Sequence, residues 1–311
     1  MKIKDIFAYL SKEIYAGREN IEIGKLCYNS KLAEKNDLFV ALKGSKTNGH
    51  QFIPELIKKG AYIVAEKSSG IEDHRQIFKV DDTRLALAFL SKAFFNNPAK
   101  DLYIVGITGT NGKTTTTYMI KAILDEAGIK TGIIGTIQYL IGDEVRKAEN
   151  TNPESFEIYK MLSEIKEKGC HALAIEISSH SIAMNRIAGL DLDTAIFTNI
   201  TQDHLDYHKT MEDYFNTKLL VFKLLKESEK PRKLAILNSD IPEFSILEKT
   251  VKELGLDYQS YGLKNKPDWK AQSVTMNIYH NIFSITGRGM DFTIDTPMLG
   301  EFNMSNALCA V

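Results

Sequence analysis

The chain has 311 residues, of which 43 % are hydrophobic and 25 % charged; 39 basic and 40 acidic side chains leave a formal net charge of −1. That balance argues against electrostatic capture of nucleic acid or an acidic membrane surface, and no apolar run approaches the length that spans a bilayer. The opening Met1-Lys2-Ile3-Lys4-Asp5 lacks the apolar stretch of a secretory signal, and Cys27, Cys170 and Cys309 are spaced too widely for a metal pair, which together point to a reduced, cytoplasmic protein of one large or two ordinary domains.

In chain order, residues 1–99 read as one α/β unit, with strands at 37–42 and 61–65 and helices at 51–59 and 83–94. Residues 96–99, Asn-Asn-Pro-Ala, read as a linker, because Asn and Pro end helices. From residue 100 strands and helices alternate. The apolar runs 103–107, 130–134, 172–177, 194–198 and 234–237 predict a parallel sheet covered on both faces. After residue 255 the spacing shortens, and 258–261, 271–278, 282–286 and 290–293 read as short antiparallel strands. Residues 303–311 read as a helix. The expected fold is α/β, with an N-terminal domain over 1–99 and a central domain over 100–311. The central domain should hold a mostly parallel sheet and a small antiparallel extension.

Residues 106–116, Gly-Ile-Thr-Gly-Thr-Asn-Gly-Lys-Thr-Thr-Thr, lie between the strand at 103–107 and a helical stretch at 118–127. Strand, Gly-rich turn, Lys-Thr and helix form the layout of a phosphate-binding loop. Backbone N–H groups converge there and the helix dipole favours an anion. Gly109, Thr110, Asn111, Gly112, Lys113, Thr114 and Thr115 are therefore candidate nucleotide contacts. Lys113 would bridge the β- and γ-phosphates, and the Thr114 hydroxyl would hold Mg2+. Five residues separate Gly106 from Gly112, so the strict Walker A spacing fails.

Ligands of parallel α/β sheets sit beyond the carboxyl ends of the strands. Glu176 ends one such strand and Ser178-Ser179-His180 follows it; residues 199–208 follow another. Glu176 is either an acid at an exposed strand end or a metal ligand, because a buried, unpaired carboxyl is costly. His204 and His208 lie four apart, on one face of a helix, but no third ligand at zinc spacing accompanies them. His204 is the better placed for a metal, and His208 reads as an ordinary packed histidine. Taken alone, Lys218 reads as a solvated helix lysine.

Together these blocks resemble the Mur ligase family, in its MurE type. The loop's shorter block, Gly-Thr-Asn-Gly-Lys-Thr at 109–114, is the form that family carries. Asn-Ser-Lys at 29–31 and Asp-Leu-Phe-Val-Ala-Leu-Lys-Gly at 37–44 resemble its uridine-binding unit, where Asp-Ser-Arg is usual. Asn-Thr-Asn-Pro-Glu at 150–154 resembles the Asn-Thr-Thr-Pro-Glu segment that contacts the muramoyl part. The blocks at 176–180 and 198–208 match long family motifs. Tyr-Phe-Asn-Thr-Lys at 214–218 resembles the block whose lysine is carbamylated. Leu-Gly-Glu-Phe-Asn-Met-Ser-Asn at 299–306 resembles the block near the end of the ATP-binding domain, and adds Asn303 and Asn306 to the nucleotide candidates. Lys31 and Asn152 depart from the pattern, and Met184 stands where a polar residue often meets substrate, while Arg186 is retained.

The resemblance implies a uridine-binding domain over 1–99 and a P-loop ATP-binding domain over 100–311. It implies an ATP-dependent amide ligase that adds a diamino acid to UDP-MurNAc-L-Ala-D-Glu through an acyl phosphate, in cytoplasmic peptidoglycan synthesis. The implied catalytic residues are Lys113, Glu176, His204 and Lys218. Mg2+ would be held by Thr114, Glu176, His204 and carbamylated Lys218. Substrate would meet Ser30, Asn150, Thr151, Asn152, Ser178 and Arg186. A carbamate turns a cation into an anion able to ligate Mg2+, and its formation needs a neutral amine, which burial favours. Neither nucleic acid nor a membrane is an expected partner. The family's third domain has no counterpart in the motifs, so this chain is expected to bind ligands without completing turnover. Two alternatives stand beside this reading: a sister amide ligase of the folylpolyglutamate or cyanophycin synthetase kind, and a non-catalytic nucleotide-binding scaffold. The N-terminal motifs and residues 150–154 argue against the first, and intact Lys113, Glu176, His204 and Lys218 against the second. The diamino acid and the oligomeric state are not legible in these motifs.

Overall fold

Short runs of aliphatic and β-branched residues between turn residues set the strands of both sheets. The computed structural model describes residues 1–44, 47–203, 207–276 and 279–311, without the side chains of 273, 274 and 276. The described chain divides into two compact units. The first holds Met1–Pro98 with Glu154–Ser163 and Met184–Gly189; the second holds Ala99–Pro153, Glu164–Ala183 and Leu190–Val311. A boundary drawn once along the chain does not describe the two later segments that return to the first unit.

The first unit carries a parallel sheet in the order β1 (Leu26–Cys27), β2 (Leu38–Val40), β3 (Tyr62–Glu66), β4 (Ile77–Val80). Side chains alternate across it with a period of two. Leu38 and Val40 join Ile3, Phe7, Phe78 and Leu87 on one face, while Phe39 and Ala41 join Ile53, Leu56 and Ile63 on the other. Helices α1 (Ile3–Ile6), α2 (Ile53–Lys59) and α3 (Thr83–Phe94) cover these faces. The Asp82 side chain caps α3 by accepting from the N–H groups of Arg84 and Leu85, a device worth about 1 kcal/mol.

The second unit is built on β5 (Tyr103–Thr108), α4 (Lys113–Glu126), β6 (Thr131–Ile134), β7 (Gln138–Ile141), β8 (Glu144–Lys147), α5 (Ser155–Glu167, whose first part belongs to the first unit), β9 (Ala172–Glu176), α6 (Ser179–Ala183), β10 (Thr194–Phe197), α7 (Met211–Glu227), β11 (Leu234–Asn238), α8 (Phe244–Glu253), β12 (Asp257–Gly262), β13 (Trp269–Met276), β14 (Asn281–Gly287), β15 (Met290–Thr296) and α9 (Glu301–Ala310). Its sheet runs β15-β14-β13-β12-β11-β10-β5-β9-β6-β7-β8. The stretch from β13 to β6 is parallel, with antiparallel additions at both edges. Val105, Ile107, Ile120, Phe283 and Leu308 share one core.

The mixed α/β architecture agrees with the sequence expectation, although β1 and β4 are not among the expected strands and other elements differ. The strand at 257–262 pairs in parallel with both β11 and β13, so neither β12 nor its pairing with β13 is antiparallel as expected. The hairpin β7–β8 is an addition that apolar runs did not signal. Helix α4 starts at Lys113, five residues before the helical stretch read from sequence, because buried Thr116 and Thr117 pack inward despite their modest helix propensity. Among the described residues no helix is long and apolar enough to cross a membrane.

Three adjacent parallel strands position the chemistry. β10, β5 and β9 are neighbours, with Thr108 level with Phe197 and Ile107 level with Glu176. Their carboxyl ends therefore deliver residues 109–112, 177–178 and 198–201 to one edge of the sheet.

Candidate functional site

The loop after β5 takes its shape from the loop after β10. Thr110 N–H donates to Asn199 O (2.9 Å) and Asn111 N–H to Asn199 Oδ1 (2.8 Å). In return, Thr198 Oγ1 donates to Asn111 O (2.7 Å). Gly109 lies at φ +143°, and a Cβ there would stand 2.0 Å from Thr198 Oγ1. Only glycine fits this approach. Gly112 lies at φ +86° at the N-cap of α4, and a Cβ there would meet Asn306 Oδ1 at 2.4 Å. Asn306 of α9 thus stands against the loop, with its Nδ2 donating to Asn303 Oδ1 (3.4 Å). The first helical bond of α4 runs from Thr116 N–H to Gly112 O. The N–H groups of Lys113, Thr114 and Thr115 therefore have no partner inside the helix, the arrangement that favours an anion.

Two amines converge on one loop carbonyl. Lys113 Nζ donates to Gly109 O (3.0 Å) and Thr110 O (2.8 Å). Lys218 Nζ, from α7, donates to the same Gly109 O (2.8 Å) and stands 4.6 Å from the centroid of the Tyr214 ring. Tyr214 OH in turn lies 3.3 Å from Thr110 Oγ1. Lys218 is 1 % exposed, so it is not a solvated helix lysine. Burial, and then the neighbouring Lys113 charge, lower its pKa to about 7 against the attraction of Asp203. Burial also lowers the Lys113 pKa, opposed by Glu176 and Asp203.

Glu176 is likewise 1 % exposed, which removes the exposed strand-end reading. Thr114 Oγ1 donates to its Oε2 (2.9 Å), and Thr136 donates from N–H to Oε1 (2.9 Å) and from Oγ1 to Oε2 (3.0 Å). The missing side chain of Gly135 makes room, since a Cβ there would stand 2.4 Å from Oε1. A carboxyl with two hydroxyls is an all-oxygen donor set of the kind Mg2+ takes, and it sits at the N-terminus of α4. The structure thus brings Lys113, Thr114, Glu176 and Lys218 to one sheet edge. His204 lies outside the described residues. Among the described residues no group of three His, Cys, Asp or Glu is arranged to hold a metal. His208 is buried, with Nδ1 3.3 Å from Asp213 Oδ2 and its ring 5.2 Å from that of Tyr214.

The candidate substrate residues divide between the units. In the second, Asn150 O accepts from Tyr139 OH (2.5 Å), and Thr151 Oγ1 lies 3.0 Å from Thr136 Oγ1. Asn152, expected to face substrate, is 1 % exposed and turned inward. Its Nδ2 donates to Glu176 O (2.7 Å), and its Oδ1 accepts from Ser178 N–H (3.1 Å). In the first unit, Arg186 Nη2 stands 3.1 Å from Glu154 Oε1, and Arg84 Nη1 donates to both oxygens of Glu154 (2.6 Å each). Ser30 opens a short 3-10 turn whose N-cap is Asn29. Thr136, Thr198 and Tyr214 are site residues that motif reading did not single out. A Thr in the turn after β6 carries no local signal, whereas Thr198 and Tyr214 lie inside blocks already noticed.

Comparison with known proteins bears on this geometry. A profile for the Mur ligase middle domain matches residues 107–311, and one for the Mur ligase family catalytic domain matches residues 22–95. The chain is 38 % identical over 316 residues to the UDP-N-acetylmuramoyl-L-alanyl-D-glutamate–2,6-diaminopimelate ligase of Clostridium tetani, covering 100 % of this chain and 63 % of that protein. A solved structure of a ligase with that same name superposes with a TM-score of 0.86 at 22 % identity, over 100 % of this chain and 62 % of the other. MurF ligase from Thermotoga maritima, solved in complex with ADP, matches with a TM-score of 0.57 at 24 % identity, over 96 % of this chain and 63 % of the other. The chain therefore spans under two thirds of the length of these relatives.

Proposed function

Since the chain belongs to the Mur ligase family, we propose that it carries the nucleotide site and the sugar-nucleotide site of a MurE-type, ATP-dependent amide ligase of cytoplasmic peptidoglycan synthesis. A free carboxyl does not condense with an amine at a useful rate, so it must first be activated. A carboxylate of UDP-MurNAc-L-Ala-D-Glu attacks the γ-phosphorus of ATP, and ADP leaves. The amine of a diamino acid then attacks the acyl phosphate; the C–N bond forms, inorganic phosphate departs and the amine gives up a proton.

The observation that carries this reading is the hydrogen bond from Thr114, in the first turn of α4, to the buried carboxyl of Glu176. It sets a metal-type acid beside a phosphate-type loop. Lys113, with N–H groups 113–115, would hold the β- and γ-phosphates, and Asn303 and Asn306 would flank the nucleotide. Thr114 and Glu176, with His204, would hold Mg2+, which supplies charge neutralisation at the transferring phosphoryl group. Lys218 would carry a carbamate, because a buried amine with a pKa of about 7 has the neutral fraction that reaction with CO2 requires. That anion would then face Lys113 and the metal. The first unit would hold the uridine end at Ser30 and orient the acidic peptide with Arg186. Asn150, Thr151 and Ser178 would approach the muramoyl part.

The test is a reconstitution with the full-length protein. ADP should appear only when ATP, Mg2+, UDP-MurNAc-L-Ala-D-Glu and a diamino acid, 2,6-diaminopimelate first, are all present, together with the amide product by mass spectrometry. Equal ADP release without the sugar nucleotide would overturn the reading.

A further inference from the structure

Glu176 is held by residues outside the nucleotide loop, and they come from one short segment and the turn beside it. Thr136, after β6, contacts both carboxyl oxygens, through its N–H to Oε1 and its hydroxyl to Oε2. A hydroxyl has one proton to donate and can still accept. Thr151 Oγ1, 3.0 Å from Thr136 Oγ1, is placed to donate into it, so that Thr151, Thr136 and Oε2 form a directed chain. The next residue, Asn152, fixes the main chain under the same side chain. Its amide bridges Glu176 O and Ser178 N–H, on either side of the β9 exit. An amide offers a donor and an acceptor in one rigid plane, which the Thr of the resembling motif does not. Residues 150–152 are themselves tied to the sheet through Tyr139 OH on Asn150 O.

We infer that Thr136, Thr151 and Asn152 are positioning residues that aim the Glu176 carboxyl at Thr114 for a divalent cation bound with the nucleotide. This rests on the reading of Thr114 and Glu176 as a magnesium site. Side chains around a metal ligand fix its orientation, and losing one costs about 10- to 100-fold in metal affinity. Asn152 is accordingly a support of the acid. The hydroxyls tie the metal carboxyl to the segment that would meet the sugar-peptide.

The experiment is calorimetric titration of the full-length protein with a non-hydrolysable ATP analogue, at a series of Mg2+ concentrations and in EDTA. Thr136→Val keeps shape and backbone N–H but removes the hydroxyl. It should raise the Mg2+ concentration needed for half-maximal enhancement of nucleotide affinity about 10-fold. Affinity in EDTA should stay within about two-fold of wild type, because the nucleotide loop is untouched. Thr136→Ser should restore the wild-type requirement, and Thr151→Ala should shift it less than Thr136→Val. Asn152→Ala should act in the same direction as Thr136→Val; if it does not fold, the Thr136 pair alone decides. A wild-type Mg2+ requirement in Thr136→Val, or an equal loss of affinity with and without Mg2+, would overturn the inference and leave the ATP site standing. A wild-type protein whose nucleotide affinity ignores Mg2+ would overturn the magnesium reading and the inference with it.

Discussion

Glu176 and Lys218 are equally buried in the second unit, and what surrounds them is opposite in kind. The acid receives two hydroxyls and a backbone N–H. The amine has one carbonyl and the face of a tyrosine, and it shares that carbonyl with Lys113. A buried charge is tolerable when paired and hydrogen-bonded, and costly otherwise. Glu176 has hydrogen-bond donors on both oxygens. Lys218 has one shared carbonyl, and burial with the neighbouring Lys113 charge lowers its pKa to about 7. One sheet edge thus holds a hydrogen-bonded acid and, separately, an amine that gains by losing its proton or its charge.

The largest effect should come from removing the acid. Glu176→Ala leaves the Thr114 hydroxyl and both Thr136 donors without their acceptor, and should destabilise the fold by about 3 kcal/mol in urea unfolding at pH 7. Lys218→Met keeps the volume and removes the charge, and in CO2-free buffer should be neutral or stabilising. Equal destabilisation by the two would erase the contrast.

A second effect is set by pH. The unfolded lysine keeps its proton up to the ordinary value of 10.5, whereas the folded one releases it at about 7. Between these values the unfolded chain binds more protons, so wild-type stability should rise with pH relative to Lys218→Met. The destabilisation is full below pH 7 and gone above 10.5, with a slope of up to about 1.4 kcal/mol per pH unit between. A flat difference from pH 7 to 10, in CO2-free buffer, would show that the amine is not buried as described.

The smallest effect in energy is a chemical one. With 13C-bicarbonate at fixed dissolved CO2, wild-type protein should show a carbamate carbon signal that grows from pH 6 to 8, as the neutral amine accumulates. Lys218→Met should lack it. A wild-type spectrum without that signal would show that Lys218 stays a bare amine.

Much of this was legible in the sequence because it is local. Strand β5, the Gly-rich turn and Lys113-Thr114 occupy consecutive residues, and the parallel strands read as apolar runs. What was not legible depends on partners distant in the chain. The alternation Tyr-Gln-Ser-Tyr in β12 identifies a strand but not its neighbour, and β11 proves to be parallel to it. Thr136 acquires its role only because β6 and β9 are adjacent in the sheet. Asn152 reads as a substrate contact within its motif, and only the fold shows its amide bridging the main-chain groups of residues 176 and 178. The return of 154–163 and 184–189 to the first unit is likewise a tertiary fact with no local mark. For Lys218, helical periodicity gives a place on α7, but only packing shows that this place is dry.

We predict that the loop at 109–115 holds a nucleoside triphosphate through Lys113. The direct measurement is a calorimetric titration of wild-type and Lys113→Ala protein with ATP and Mg2+, alongside their thermal midpoints. The backbone cradle survives the substitution, while the charged contact with the phosphates is lost. Affinity should therefore fall by about 10- to 100-fold with the midpoint unchanged. Equal ATP affinity in the two proteins would contradict the account.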